Sequence, residues 1–198
     1  THLDVGFTDY ARNVTDRYMT QFIPDAIALS ETMQRDYPTE PFCWTVGSWL
    51  MYEYLKRSSP SEVARMEAAI ADERVVWHGL PFTTHTELMD TMLFRHALSL
   101  SQQLDERYGK KTIAAKMTDV PGHTRAMIPL LAEAGIRFFH VGVNPAATVP
   151  DVPPVFVWHD EASDTRLVVM YQKVYGDVMI LPGTNEAVAL VFTGDNLG

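Results

Sequence analysis

Between Phe42 and Val141 the sequence alternates short apolar or β-branched runs with longer segments whose apolar residues recur every three or four positions. The short runs, Phe42 to Val46, Val75 to Trp77, Thr112 to Met117 and Arg137 to Val141, read as buried strands. The segments between them read as helices: Trp49 to Lys56, Ser61 to Ala71, a long one ending near Tyr108, and Thr124 to Ala134. The long helix is expected to start at a capping box, Thr84-His85-Thr86-Glu87, and to stop at Gly109. Its inward face is expected to carry Met89, Met92, Leu93, Ala97, Leu100 and Leu104. Upstream, Thr8 to Gln34 has a helical pattern that Pro24 must kink or break, because proline lacks an N–H and collides with the preceding turn. Downstream, Arg166 to Tyr171 and Ala187 to Phe192 are strand-like, while Asn144 to Pro154, with prolines 145, 150, 153 and 154, reads as irregular surface chain. Such alternation is the pattern of parallel βα units, so an α/β fold is expected.

At 198 residues, 46% apolar and 21% charged, the chain can bury a core as one domain spanning 1–198. Its 16 Lys and Arg against 25 Asp and Glu give a net charge of −9. That argues against nucleic acid or a membrane surface as partner, since both are held by clustered cations. The single cysteine, Cys43, excludes an intrachain disulfide and any zinc site built on several thiolates. No run of about 18 apolar residues is present to span a bilayer. Walker, GxGxxG, GxSxG and HExxH patterns are all missing from the sequence, which disfavours nucleotide binding and zincin chemistry. The chain starts without an initiator methionine and stops just after an apolar run, as a piece cut from a longer protein would. A cytoplasmic location is expected, with secretion left open because the true N-terminus is absent. The oligomeric state is not legible.

In parallel α/β folds, function gathers in the loops at the carboxyl ends of the strands. Those loops hold His2 and Asp4, His78, Asp119 and His123, His140 and Asn144, and Asp195. Histidines 2, 78, 85, 123 and 140, five of the seven, fall at strand-to-helix turns. In an extended His2-Leu3-Asp4, residues two apart project to the same side, so one imidazole and one carboxylate would converge as half of a divalent-metal site. The alternative is a hydrogen-bonded pair in a structural loop. Asp119 precedes Val120-Pro121-Gly122, whose sharp turn would hold its carboxylate rigidly. A turn aspartate bonded to backbone N–H groups is the other reading, and His123 could be a helix-cap histidine. Glu87 and Asp90 read as capping partners, and Trp44, Trp49 and Trp77 as core.

Three segments together carry a resemblance: His2-Leu3-Asp4-Val5-Gly6-Phe7, Thr118-Asp119-Val120-Pro121-Gly122-His123-Thr124 and Gly194-Asp195-Asn196-Leu197-Gly198. In this order the chain resembles the catalytic domain of glycoside hydrolase family 38, the α-mannosidases. It looks closest to family-38-like N-terminal domains, with Trp77 to His85 and Lys116 to Asn144 typical of them. The resemblance implies an incomplete seven-stranded parallel β/α barrel of the glycoside hydrolase and deacetylase type. It implies one Zn2+ ion held by His2, Asp4 and Asp119, with a fourth protein ligand beyond Gly198. Asp119 would also be the catalytic nucleophile, and Asp195 the candidate general acid. Phe7, His78, His85, His123 and Asn144 are the expected substrate contacts, and carbohydrate the expected partner. Phe7 stands where the family usually has tryptophan and Val5 where it has proline, departures that bear on sugar specificity more than on metal binding. The alternatives are a metal-dependent carbohydrate deacetylase on a related barrel and a carbohydrate-binding domain without catalysis.

Overall fold

The computed structural model describes residues 2–144, 146–190 and 196. The chain begins with a helical arm: α1 (Ala11–Arg17), one π-helical turn (Tyr18–Phe22) and α2 (Ile23–Asp36). Pro24 lies in the first turn of α2, and the widened turn sits directly ahead of it, where proline removes a ladder donor. The expected single helix is therefore interrupted where the proline demanded.

β1 (Trp44–Gly47) runs parallel to β2 (Val75–His78), and α3 (Ser48–Arg57) and α4 (Pro60–Ala71) make the crossover between them. α5 (Thr91–Tyr108) leads to β3 (Ala114–Thr118), and α6 (Met127–Glu133) leads to the parallel strand β4 (Phe138–Gly142). α5 does not start at Thr84: Thr86–Leu88 makes one 3-10 turn, Met89 is extended, and Asp90 caps the helix by accepting from Leu93 N–H at 2.8 Å. Its buried face is accordingly Phe94, Ala97, Leu98, Leu100, Ser101 and Leu104, while Met92 and Leu93, expected inside, are 79% and 50% exposed. Gly109 ends the helix at φ 63, as glycine can without strain. Pro129 falls in the first turn of α6, where its missing N–H costs nothing.

After β4 the alternation stops. β5 (Val155–Asp160) and β6 (Thr165–Gln172) form an antiparallel hairpin, β6 lies parallel to β4, and β7 (Val178–Ile180) pairs antiparallel with β8 (Ala187–Ala189). Among the described residues the strands form sheets of two, four and two, in the orders β1-β2, β3-β4-β6-β5 and β7-β8. The expected seven-stranded parallel barrel is thus overturned. A parallel strand needs a crossover, and the described chain has no helix after Glu133 to supply further ones. What persists is the parallel set β3-β4-β6, tied to the β1-β2 pair by Gly79 N–H donating to Ala114 O at 2.9 Å.

Two cores hold the elements. One packs Tyr18, Ile23 and Ile27 of the helical arm against Val46, Met51, Met66 and Val75. The other packs α5 and α6 onto Met117, Phe139 and Val169 of the four-stranded sheet. Side chains alternate across a strand, so the opposite face of β3, β4 and β6 carries Lys116, Thr118, His140 and Gln172. Among the described residues no helix is long and apolar enough to cross a membrane.

Candidate functional site

β3, β4 and β6 are in register, Thr118 beside Gly142 and Gly142 beside Gln172, so the residues that follow them emerge at one end of the sheet. Asp119 follows β3 directly with φ 70, a left-handed conformation that aspartate tolerates better than most residues, and its N–H donates to Gly142 O at 3.0 Å. Asn144 comes from the end of β4 and Tyr175 from the end of β6. The amino-terminal segment crosses this same end. Thr83 N–H donates to Leu3 O at 3.2 Å, and Tyr18 donates its hydroxyl proton to His2 O at 3.1 Å.

These constraints converge on His2, which is 1% exposed. Its Nδ1 lies 2.7 Å from Thr118 Oγ1 and 3.3 Å from Thr83 Oγ1. Its Nε2 faces Asp4 Oδ2 at 3.0 Å and Asp119 Oδ2 at 3.7 Å. His2, Asp4 and Asp119 each place a ligand atom within 4.8 Å of the others, the one such group of three found among the described residues. The donor set suits a borderline divalent cation: one imidazole and two carboxylates, with the remote ring nitrogen anchored on a hydroxyl.

Asp4 is fixed from behind by Asn196. The amide oxygen of Asn196 accepts from Asp4 N–H at 2.8 Å, and its Nδ2 donates to Asp4 O at 2.8 Å and to Thr8 Oγ1 at 3.0 Å. Asp119 has its Oδ2 toward the metal-binding side and its Oδ1 toward protein donors. Asn144 Nδ2 donates to Oδ1 at 2.5 Å, and the Tyr175 hydroxyl donates to the same oxygen.

Beneath the triad lies a buried basic layer. Lys116 Nζ donates to Thr118 Oγ1 at 3.3 Å, and burial lowers its pKa to about 7. His140 Nε2 lies 2.8 Å from Gln172 Oε1, whose amide nitrogen donates to Asp177 O, so the ring proton sits on Nε2. Burial, with Lys116 nearby, pushes His140 down to about 4 despite that bond. His78 is held well below its usual value by burial first and by Lys116 second, and its Nδ1 accepts from Leu80 N–H at 3.3 Å.

Among the described residues no hydrogen bond or ion pair joins Phe7, His85 or His123 to the triad. Phe7 is 77% exposed and His85 is exposed. His123 places Nδ1 3.4 Å from Thr86 Oγ1, sets its ring edge-on to Phe139, and is pushed by burial to about 4. It lines an apolar cavity of about 330 Å³ walled by Val141, Phe156, Trp158 and Tyr171, on the helix-facing side of the sheet. Asp195, the candidate acid, lies outside the described residues. Sequence reasoning missed Tyr175, Thr83 and Lys116. The carboxyl-end rule pointed to the loop after β6 without singling out its tyrosine.

No protein-family model and no curated protein matches this sequence. Its fold is similar to solved structures. An α-mannosidase from Enterococcus faecalis V583 superposes with a TM-score of 0.63 at 10% identity, covering 81% of this chain and 18% of that one. A glycosyl hydrolase family 38 protein from Enterococcus faecalis gives 0.59 at 8% identity, covering 80% and 17%. A 4-α-glucanotransferase from Thermococcus litoralis gives 0.57 at 11% identity, covering 84% and 26%. At these identities the likeness establishes the fold: this chain folds like part of a family 38 glycosyl hydrolase. It spans between 17% and 26% of the length of these chains.

Proposed function

We propose that this chain carries the metal-binding and nucleophile portion of a zinc-dependent retaining glycoside hydrolase of the α-mannosidase type. The observation that carries the reading is the meeting of His2, Asp4 and Asp119, distant in sequence, at one end of the sheet. The fold likeness to an α-mannosidase supports it. A net charge of −9 suits an uncharged sugar better than a polyanion.

His2, Asp4 and Asp119 would hold the ion, and a bound zinc supplies Lewis acidity toward sugar hydroxyls and offsets negative charge at the site. The chain's own groups do the rest. Thr118 holds the His2 ring so that Nε2 faces the two carboxylates. Asp119 attacks the anomeric carbon while the glycosidic bond breaks and its electron pair passes to the leaving oxygen, which takes a proton from the general acid. Water then attacks the same carbon, gives its proton to that conjugate base, and returns the Asp119 carboxylate. We assign the acid role to Asp195. Asn144, on Asp119 Oδ1, steadies the nucleophile.

Hydrolysis of aryl α-mannosides by the full-length protein, with and without a chelator, tests this. Turnover that the chelator abolishes, zinc restores and Asp119→Asn eliminates is expected. Acetate release from acetylated sugars with no glycoside cleavage would replace the reading with a deacetylase. Sugar binding unaffected by Asp119→Asn, with no turnover, would replace it with a binding domain.

A further inference from the structure

Tyr175 touches both halves of the candidate centre. It stands three residues beyond β6, its hydroxyl donates to Asp119 Oδ1, and its ring stacks on His2 with centres 5.1 Å apart and planes 20° from parallel. The sheet makes room for this approach at Gly142. A Cβ there would lie 2.7 Å from Tyr175 O, 2.9 Å from Tyr175 Cα and 2.8 Å from Thr118 Cγ2. Two of those three are backbone atoms, so any side chain at 142 would displace the tyrosine.

We propose that Tyr175 is the positioning residue of this site, acting through two separable contacts. The hydroxyl fixes the rotation of the Asp119 carboxylate, so that Oδ1 stays on the protein donors and Oδ2 stays turned to Asp4 and His2. The ring fixes the plane of the imidazole, so that Nε2 points to the same place. A carboxylate free to rotate, or an imidazole free to tilt, would leave each ligand atom correctly placed only part of the time, and outer groups of this kind set metal affinity and activity. The inference rests on the metal-site reading above and goes beyond it by giving the hydroxyl and the ring of Tyr175 separate tasks.

The test compares wild type, Tyr175→Phe and Tyr175→Ala in the full-length protein, by zinc titration against a competing chelator and by steady-state kinetics on an aryl α-mannoside. Tyr175→Phe keeps the ring and removes the hydroxyl. With Asn144 still on Oδ1, it is expected to lose zinc affinity by about 3–10-fold and kcat by about 10–100-fold, with little change in KM. Tyr175→Ala removes both contacts and is expected to lose zinc affinity by about 10–100-fold as well. Tyr175→Phe, near-isosteric, carries the test alone if Tyr175→Ala does not fold. Wild-type zinc binding and turnover with Tyr175→Phe unchanged in kcat overturns this proposal and leaves the glycosidase reading intact. A wild type that binds no zinc overturns the reading and the proposal with it.

Discussion

Replacing Thr118 by valine removes one oxygen from the centre and little volume. Thr118 and His2 are each 1% exposed, so water cannot substitute for the lost group. For His2 Nε2 to donate a lone pair to a cation, the ring proton must sit on Nδ1, and Thr118 Oγ1 at 2.7 Å is its nearest acceptor. Valine leaves Thr83 Oγ1 at 3.3 Å as the remaining partner. A buried donor stripped of its acceptor costs about 1–3 kcal/mol, or about 5–150-fold in an equilibrium constant. Part of that is also lost without the ion, where the same nitrogen uses the same hydroxyl, so the expected drop in zinc affinity is about 10-fold. Global stability should fall by about 1–2 kcal/mol, lowering the unfolding temperature by roughly 2–8 °C in a chain of this size. Zinc titration against a chromophoric chelator near neutral pH, paired with thermal unfolding, separates the two effects. A zinc Kd within about twofold of wild type alongside a lowered unfolding temperature would refute the reasoning, because Thr118 would then serve the fold and not the ligand.

Acid should destabilise the fold from about pH 6.5 downward. His123 and His140 sit near 4 in the folded chain against 6.5 ordinarily, and His78 is depressed too. His123 and His140 are neutral when folded, so the contribution of each is fully present above about pH 6.5 and is lost as pH falls toward about 4, amounting to about 2 kcal/mol for each by pH 5, and burial makes His78 act in the same direction. Urea unfolding across that window should show a steady loss that is shallower in His140→Asn, and a flat profile would contradict it. Gly47→Ala should be poorly tolerated, since its Cβ would lie 2.1 Å from Pro81 O, a backbone atom. It should lose about 3 kcal/mol in urea unfolding, and zinc affinity with it, because the same loop carries Thr83 to His2; a loss under about 1 kcal/mol would contradict this.

Much of the first part of the fold was legible because its rules are local. The four strands from Trp44 to Gly142 and the helices between them announce themselves by periodicity, within a few residues at their ends. The start of α5 was misplaced because Thr84 and Glu87 satisfy the capping pattern in sequence, while Met89 turns extended and Asp90 takes the cap. That shift rotates the helix face and exposes Met92 and Leu93. The barrel expectation failed at β5. Val155–Asp160 has an ordinary strand composition, but no helix separates it from β4 or from β6, and it pairs antiparallel with β6. At the site, His2, Asp4 and Asp119 were readable because their chemistry narrows the choices. Tyr175 was not, since a tyrosine in Lys173-Val174-Tyr175-Gly176 gains meaning only when Gly142 lets it reach Asp119.

The glycosidase reading requires His2, Asp4 and Asp119 to hold one zinc ion. Anomalous diffraction at the zinc absorption edge, from crystals of the zinc-loaded full-length protein, tests it most directly. A single strong peak within bonding distance of His2 Nε2, Asp4 Oδ2 and Asp119 Oδ2, at about 2.0–2.2 Å, is the predicted result. Zinc-loaded crystals with no anomalous peak among these three side chains would show that they are not the zinc ligands.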